Sequence, residues 1–556
     1  MANNWTQEQL DAITSRGSNL LVSAAAGSGK TAVLVERIIQ MITKDKIDID
    51  ALLVVTFTNA AAAEMRERIG EAIIKALDEH PSDRNLERQL SLLNRSSITT
   101  IHSFCLEIIR NNFHQIGLDP GFRISDETEG AILREEALEE ALEESYMEAD
   151  PDFIALVDAY GGKTDDRNLT GIVLNLYNFI MSSPWPLKWL EEKAGLFDLE
   201  GKSLMDLPVL KDLTRDIHMS LKAFETPLED ALEIARSHEP IKGYEEALLD
   251  DIKIYMAFLN ILENGESFDA IREFLDGISW TKLKNAKKGH DPALADEVKN
   301  LRKDFKGFFK YLKDSYFLES EEDNEKIIRK TYPQLKALER LTKLFMEKYQ
   351  MRKREKSLLD FSDLEHMALK ILTEEKEGII HPSDIACEYK KKYAEVLVDE
   401  YQDSNEVQEV IISMVSRKDG ENPNVFMVGD VKQSIYRFRQ AKPELFMGKY
   451  RTYDLSGNHL GKKILLYKNF RSRKNILSSV NFLFKGIMSE RVGELDYSDE
   501  ESLIYGASYY ELGQLEEQVE EAAETLQDND LIEVMLVEES SAEGASEDDE
   551  SDTDDQ

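Results

Sequence analysis

Six short apolar runs punctuate the chain: Asn19–Ser23, Leu52–Phe57, Ile98–Ile101, Glu395–Val398, Asn424–Val428 and Ile464–Tyr467. Runs this short and this continuously apolar predict strands buried on both faces, as in a parallel sheet. Most are followed closely by a loop and a helical pattern, the rhythm of βαβ units. In "AAAAEMRERIGEAIIKAL", for example, Met65, Ile69, Ile73 and Leu77 fall along one helix face. Between about Asp119 and Lys356 the strand rhythm stops. Long amphipathic patterns such as "ILREEALEEALEESY" replace it, broken only by "YGGKTDD" and "SSPWPLKW". The pattern predicts an α/β domain in two halves with an all-α domain inserted between them. Near the end, "LIEVMLV" reads as one more strand. The stretch "EESSAEGASEDDESDTDDQ" after it has too little apolar content to offset chain entropy and is expected to be disordered.

Composition narrows the class. At 556 residues and 42% hydrophobic, the chain is long enough for several domains, each with a real core. No stretch approaches the ~18 unbroken apolar residues of a membrane span, and "MANNWTQEQL" has no basic or apolar signal region. Two cysteines, Cys105 and Cys387, exclude a disulfide framework or a four-cysteine metal cluster. A soluble cytoplasmic protein with no membrane partner is expected. The formal charge of −40 is uneven: residues 492–556 hold 24 acidic residues and no Lys or Arg. What precedes them carries 84 acidic against 68 basic residues. Such a balance argues against broad coating of nucleic acid, but it allows a narrow track of stacking aromatics and a few placed cations.

The candidate chemistry sits where the predicted strands end. Residues 24–31 read Ala24-Ala25-Ala26-Gly27-Ser28-Gly29-Lys30-Thr31, against the phosphate-loop pattern G-x-x-x-x-G-K-[ST]. Ala24 replaces the first glycine, yet the physical requirements are met. Gly27 and Gly29 let backbone amides face phosphates, Lys30 reaches the β and γ oxygens, and Thr31 offers a hydroxyl to magnesium. The helix begun at Lys30 points its positive end at the same place. In "VLVDEYQDSN", Asp399 suits the magnesium shell and Glu400 the attacking water. In "VFMVGDVKQSIYRFRQA", Gln433 is placed to sense the γ-phosphate. Tyr436 and Phe438 there alternate with Arg437 and Arg439, a stacking-plus-cation pattern suited to single-stranded nucleic acid.

The order of these motifs resembles superfamily 1 DNA helicases of the UvrD/Rep type, most closely the AddA-type subunits of helicase-nucleases. "WTQEQLDAI" is similar to the family's Q motif, "AAAGSGKT" to motif I, "VVTFTNAAAAEMRERI" to motif Ia and "TTIHSF" to the DNA-contacting segment after it. "VLVDEYQD" resembles motif II, "VGDVKQSIYRFRQA" motif III and "LYKNFRS" motif IV, while "LLDFSDLEHMALKIL" matches the AddA pattern. The resemblance runs from Asn4 to about Phe484. It implies that Gln9 reads adenine, that Phe470 packs on it and that Arg471 is the first arginine finger. Arg471 also has a plainer reading, as a surface arginine at a basic helix start. DNA contacts are implied at Phe57, Asn59, His102, Ser103, Tyr436, Phe438 and Arg439. Three positions depart from the family pattern: Ala60 stands where relatives often have Lys, Phe438 where many have Trp, and Lys432 where the residue is usually acidic.

What the resemblance implies, then, is a RecA-like parallel-sheet P-loop motor domain with a large all-α insertion and the start of a second RecA-like domain. The expected divisions are 1–118 and 357–458 for the two parts of the first motor domain and 119–356 for the helical insertion. Residues 459–537 would form an incomplete second motor domain, and 538–556 an acidic tail. ATP and Mg2+ are the expected cofactors. The expected partners are single-stranded and tailed duplex DNA and an AddB-like subunit. The later motifs, with a second arginine finger and a nuclease lysine, have no counterpart after Phe484, so the chain is expected to be the N-terminal part of a longer protein. Two functions follow: a 3′-to-5′ DNA translocase acting in double-strand-break repair and recombination, or a nucleotide- and DNA-binding module with little turnover. The basic stretches "WTKLKNAKKGH", "LRKDFKGFFKYLKDSY" and "KYQMRKREKS" either line the DNA side of the insertion or are solvated helix faces.

Overall fold

The computed structural model describes residues 5–162, 165–493 and 495–506. The expected strand at 531–537 and the acidic tail at 538–556 lie outside the described residues. The chain divides into two compact units. One gathers the residues up to Gly117 and those from Asp363 onward, and the other is 118–362.

The first unit is built on a six-stranded sheet in which every pairing is parallel. Its strands are β1 (Leu20–Ala24), β2 (Leu52–Thr56), β3 (Ser97–Thr100), β4 (Glu395–Val398), β5 (Val425–Gly429) and β6 (Lys462–Leu466), in the order β6-β1-β5-β4-β2-β3. All six apolar runs of the sequence are therefore strands. β1, β2, β4 and β5 are buried along their whole length, because helices cover both faces of the sheet. The helices α1 (Gln7–Thr14), α2 (Lys30–Thr43), α3 (Asn59–Glu79) and α4 (Ile101–Asn112) precede the second unit in the chain. Leu34 and Ile38 of α2 share one core with Val54, Leu397 and Phe426 of the sheet.

β6 corrects one expected boundary. Placed at the start of a second motor domain by the sequence, it pairs instead with β1 in register Leu20↔Lys462 to Ala24↔Leu466, and so completes the first sheet. The physical reason is simple: an apolar strand satisfies its backbone groups on the nearest open edge. Beyond it, β7 (Lys468–Asn469) and β8 (Ile504–Tyr505) form a separate parallel pair.

One buried ion pair ties α1, α2 and the sheet together. The Arg37 side chain on α2 is fully buried. Its Nε donates to Glu395 Oε2 at 2.9 Å, its Nη2 to Glu395 Oε1, and its Nη1 to the Ala12 carbonyl of α1 at 2.6 Å. The guanidinium lies 4.6 Å from the centre of the Phe426 ring.

The second unit is helical apart from the short pairing of Arg123–Ile124 with Leu358–Leu359. That pairing, with Lys353 Nζ on Asp360 Oδ2 at 2.9 Å, carries the helical unit past the expected boundary at 356. A 22-residue helix, α5 (Glu127–Glu148), packs against the 35-residue α6 (Glu321–Glu355) through Leu133, Ala137, Leu341 and Phe345. Many of the unit's cations meet acidic partners inside it. Lys284 pairs with Glu246 at 2.7 Å, Lys287 with Glu239 at 2.8 Å, Lys313 with Asp276 at 2.7 Å and Lys348 with Glu144 at 2.5 Å. Arg352 reaches both Glu136 and Glu140. This local balance fits the solvated-face alternative for the basic stretches. Among the described residues no helix is long and apolar enough to cross a membrane.

The Arg37–Glu395 pair generates a stability prediction. Glu395→Leu should cost about 3–5 kcal/mol by leaving a buried guanidinium unpaired, read as a lower guanidinium midpoint. Adding Arg37→Met should restore much of that loss. A double variant as unstable as the single would show that the two side chains do not act as a unit.

Candidate nucleotide site and nucleic-acid interface

Because all six strands are parallel, their C-terminal ends lie along one edge of the sheet, where open α/β sheets bind ligands. The loop after β1 carries residues 25–29. Gly27 at φ +70° and Gly29 at φ +84° adopt the left-handed conformation that the turn requires. No side chain caps the N-terminus of α2, so its first amides are open to an anion. Ser28 Oγ, also in the loop, is buried without a hydrogen-bond partner.

The loop is held from outside by three successive carbonyls. Ala26 O accepts from Asn469 Nδ2 at 2.7 Å, Gly27 O from the Phe470 N–H at 2.9 Å, and Ser28 O from Gln9 Nε2 at 3.0 Å. Gln9 sits in a capping box at the start of α1, and its Oε1 accepts from the Thr6 N–H at 2.9 Å. Its amide thus braces the loop as well as lining the adjoining cleft, whose walls include Thr6, Gln9, Ser28, Tyr467 and Phe470. The two residues expected at adenine, Gln9 and Phe470, therefore share one cleft.

Across the sheet, Lys30 Nζ lies 3.1 Å from Glu400 Oε2 and 3.4 Å from Oε1. The fold brings together two groups 370 positions apart. Glu400 occupies the left-handed region, at φ 49° and ψ 46°. For a residue with a Cβ this is strained backbone of a kind that concentrates at functional sites. The surroundings hold it there: its N–H donates to Asp399 Oδ1 at 3.0 Å, and its Oε2 accepts from Gln402 Nε2 at 2.9 Å. Burial, then the charge of Glu400, pushes Asp399 up to about 6. The same two causes push Asp403 up to about 6. Crowded, half-dehydrated carboxylates of this kind are suited to a divalent cation. Thr31 and Asp399 would supply its protein ligands. Among the described residues no group of three or more His, Cys, Asp or Glu side chains is placed to hold a metal. That donor set fits magnesium, which needs one or two carboxylates and takes its remaining oxygens from phosphate and water.

Gln433 is turned toward Asp430, donating Nε2 to Oδ2 at 2.8 Å. The other oxygen of Asp430 pairs with Lys432 at 3.0 Å, and Lys432 Nζ is also 3.7 Å from Glu501. The unusual lysine of motif III is thus an internal counter-ion. Gln402, fully buried, joins motifs II and III. Its Oε1 accepts from the Asp430 N–H at 3.0 Å, and a Cβ at Gly429 would lie 2.2 Å from that oxygen. Asn469 and Gln402 escaped sequence reasoning because each bonds a main-chain group of another segment, the Ala26 carbonyl for Asn469 and the Asp430 N–H for Gln402. Their only signal was membership of the quoted motifs.

Further along the edge lies an aromatic platform. The Phe57 and Tyr436 ring centres are 4.7 Å apart, and those of Tyr436 and Phe438 5.9 Å. The Arg439 guanidinium lies 5.3 Å from the Tyr436 centre and 5.6 Å from that of Phe438. Phe438 is 74% exposed and Ile435 70%, an apolar outcrop that water does not favour. Thr100 gathers Asn59 and Ser103 into a second group, while His102 of α4 faces Glu365. The Thr100 Oγ1 caps α4 by accepting from the Ser103 N–H at 3.3 Å and lies within hydrogen-bond distance of Ser103 Oγ at 3.0 Å and Asn59 Oδ1 at 3.4 Å. His102 Nε2 is 3.4 Å from Glu365 Oε1, which also accepts from Gln408 Nε2 at 2.8 Å. Arg471 is exposed on the turn after β7, with its N–H on Asn469 Oδ1 at 2.8 Å.

The chain matches the model of the UvrD/REP helicase N-terminal domain over residues 5–454. It is 49% identical over 513 residues to the A subunit of the ATP-dependent helicase/nuclease of Clostridium beijerinckii, covering 91% of this chain and 41% of that protein. The corresponding protein of Clostridium perfringens is 50% identical over 531 residues, covering 94% of this chain and 41% of the relative. That of Thermoanaerobacter pseudethanolicus is 46% identical over 516 residues, with 92% and 41% covered. The chain thus spans about two-fifths of the length of these relatives. Since the domain match takes in well over half of its residues, the chain belongs to the UvrD/REP helicase family.

Proposed function

We propose that this chain is the ATP-hydrolysing motor portion of an AddA-type helicase/nuclease protein, translocating 3′ to 5′ on single-stranded DNA during double-strand-break repair and recombination. The observation that carries the motor reading is the pairing of Lys30 with Glu400 at the mouth of a phosphate loop. An AddB-like partner is suggested by the relatives being A subunits, and polarity and the repair role rest on the resemblance of the motifs to AddA-type helicases.

The proposed chemistry follows from the geometry. Lys30 is drawn from Glu400 toward the β and γ oxygens of ATP, which releases the carboxylate to orient the attacking water and accept its proton. The amides of the loop and of the α2 N-terminus bind the phosphates. Magnesium, held by Thr31 and Asp399, would supply charge neutralisation at the β and γ oxygens. Gln433 senses the γ-phosphate, and Arg471 stabilises the charge that develops as the bond breaks. Phe57, Tyr436 and Phe438 stack bases with Arg439 among the rings, while Asn59, His102 and Ser103 hold the strand alongside. Placing Gln433 five residues before Phe438 on one loop gives hydrolysis a short route to the DNA track.

DNA-stimulated phosphate release tests the motor reading. Lys30→Ala should abolish it while leaving the circular dichroism spectrum unchanged, since the side chain reaches toward phosphate and not into the core. Wild-type turnover in that variant would remove the phosphate-loop assignment.

In Glu400→Gln, labelled ATP should still bind but turnover should fall by roughly 10²-fold or more, as expected when a general base is lost. Loss of binding together with turnover would make Glu400 structural.

For the DNA track, Tyr436→Ala/Phe438→Ala should weaken single-stranded DNA binding by about 1–3 kcal/mol for each base that loses its stack. The salt dependence should stay modest in so acidic a chain. Fluorescence anisotropy at several salt concentrations reads both effects, and unchanged affinity would exclude the stacking track.

A further inference from the structure

Asn469 is 3% exposed, and its amide faces two ways at once. Nδ2 donates to the carbonyl of Ala26 in the phosphate loop at 2.7 Å. Oδ1 accepts from the N–H groups of Arg471 and Ser472, both at 2.8 Å, and so shapes the turn that presents Arg471. The contact with the loop is close: a Cβ at Gly27 would lie 2.6 Å from Nδ2 and 2.9 Å from Oδ1. The backbone of Asn469 is fixed independently, because it lies in β7 beside Tyr505 and its carbonyl accepts from the Gly506 N–H at 2.9 Å.

From this geometry we infer that Asn469 is a positioning residue that sets Arg471 against the phosphate loop, so that the loop's shape with nucleotide bound is passed to the finger through one side-chain amide. The inference rests on the motor reading above. The chemistry explains the residue type. Asp would keep the acceptor that forms the turn but lose the donor to Ala26 O and set a carboxylate against a carbonyl. Ala would lose both ends. The neighbouring bond from the Phe470 N–H to Gly27 O keeps the segment docked on the loop in either variant. What changes is therefore the placement of Arg471, not the attachment of the strand. Misplacing a catalytic group by an ångström costs on the order of 10²-fold in rate.

The test compares the wild-type chain with Asn469→Ala, Asn469→Asp, Arg471→Ala and Asn469→Ala/Arg471→Ala. For each, the thermal midpoint is measured alone, with magnesium and ADP, and with magnesium, ADP and aluminium fluoride, which imitates the transferring phosphoryl group. DNA-stimulated kcat and KM for ATP are measured alongside. All variants should keep the shift given by ADP, which also shows that they fold. Both Asn469 variants should lose most of the extra shift given by fluoride, as Arg471→Ala does. Their kcat should fall on the order of 10-fold to 100-fold, while KM stays within about threefold. The double variant should be no worse than Arg471→Ala alone, because one residue acts through the other. An Asn469→Asp variant that behaves as wild type would reduce the side chain to a turn former and overturn the inference. So would a double variant whose losses multiply, or a wild-type chain that gains from ADP but not from fluoride. A wild-type chain that gains nothing from ADP would instead overturn the motor reading, and this inference with it.

Discussion

The parallel arrangement of six strands is the constraint on which the rest of the first unit depends. Parallel strands need crossover connections, and the crossovers bury both faces of the sheet under helices. The one place left for polar chemistry is the edge where the strands end. Residues separated by several hundred positions then have nowhere else to go. The phosphate loop after β1, Asp399 and Glu400 after β4, Gln433 after β5 and Asn469 after β6 all emerge there. β1 lies between β5 and β6, so the loop that follows it is flanked by the segments after both neighbours. The insertion of a helical unit of well over two hundred residues between β3 and β4 leaves the register of β2 with β4 intact.

The same edge separates two kinds of polar group. Those that hold the site have saturated partners. Gln402 and Asn469 each use both ends of an amide, and Asp430 divides its oxygens between Lys432 and Gln433. Those proposed to meet the substrate are held in postures that cost something: a strained Glu400 and an Asp399 pushed up by burial. Buried amides with every bond made are stiff, and that stiffness keeps the strained groups in place. Glu400 receives hydrogen bonds or ion pairs from Lys30 and Gln402 and donates its own N–H to Asp399, so its backbone conformation is fixed from three sides.

Charge is used differently in the two units. In the first, a cation is buried only where a purpose is visible in the packing: Arg37 joins two helices to two strands, and Lys432 balances Asp430 and Glu501. In the second, Arg302 and Lys353 are buried against Asp251 and Asp360, while exposed cations such as Lys284, Lys287 and Lys348 sit opposite acidic residues and contribute little to stability individually. In the proposed DNA track the aromatic rings carry the contact, and Arg439 lies among them where its charge adds to the aromatic surface.

Local pattern was enough to reveal the strands, the helical insertion and the glycine-containing turn between β1 and α2, because each is specified by neighbours in the chain. Continuous apolar runs mark strands buried on both faces, and a glycine-rich turn between strand and helix marks an anion site. Motif order was enough to indicate the family. Pairing was not readable. The strand at Lys462–Leu466 looked like the opening of a new domain, and only the open edge beside β1 decided that it closes the first sheet. The helical unit likewise ran past its expected end because Leu358–Leu359 found a partner at Arg123–Ile124. The roles of Asn469, Gln402 and Lys432 also lay beyond the sequence. Asn469 meets a carbonyl 443 positions away, Gln402 the Asp430 N–H and Lys432 the Glu501 carboxylate, contacts that the fold makes and that leave no periodic trace along the chain.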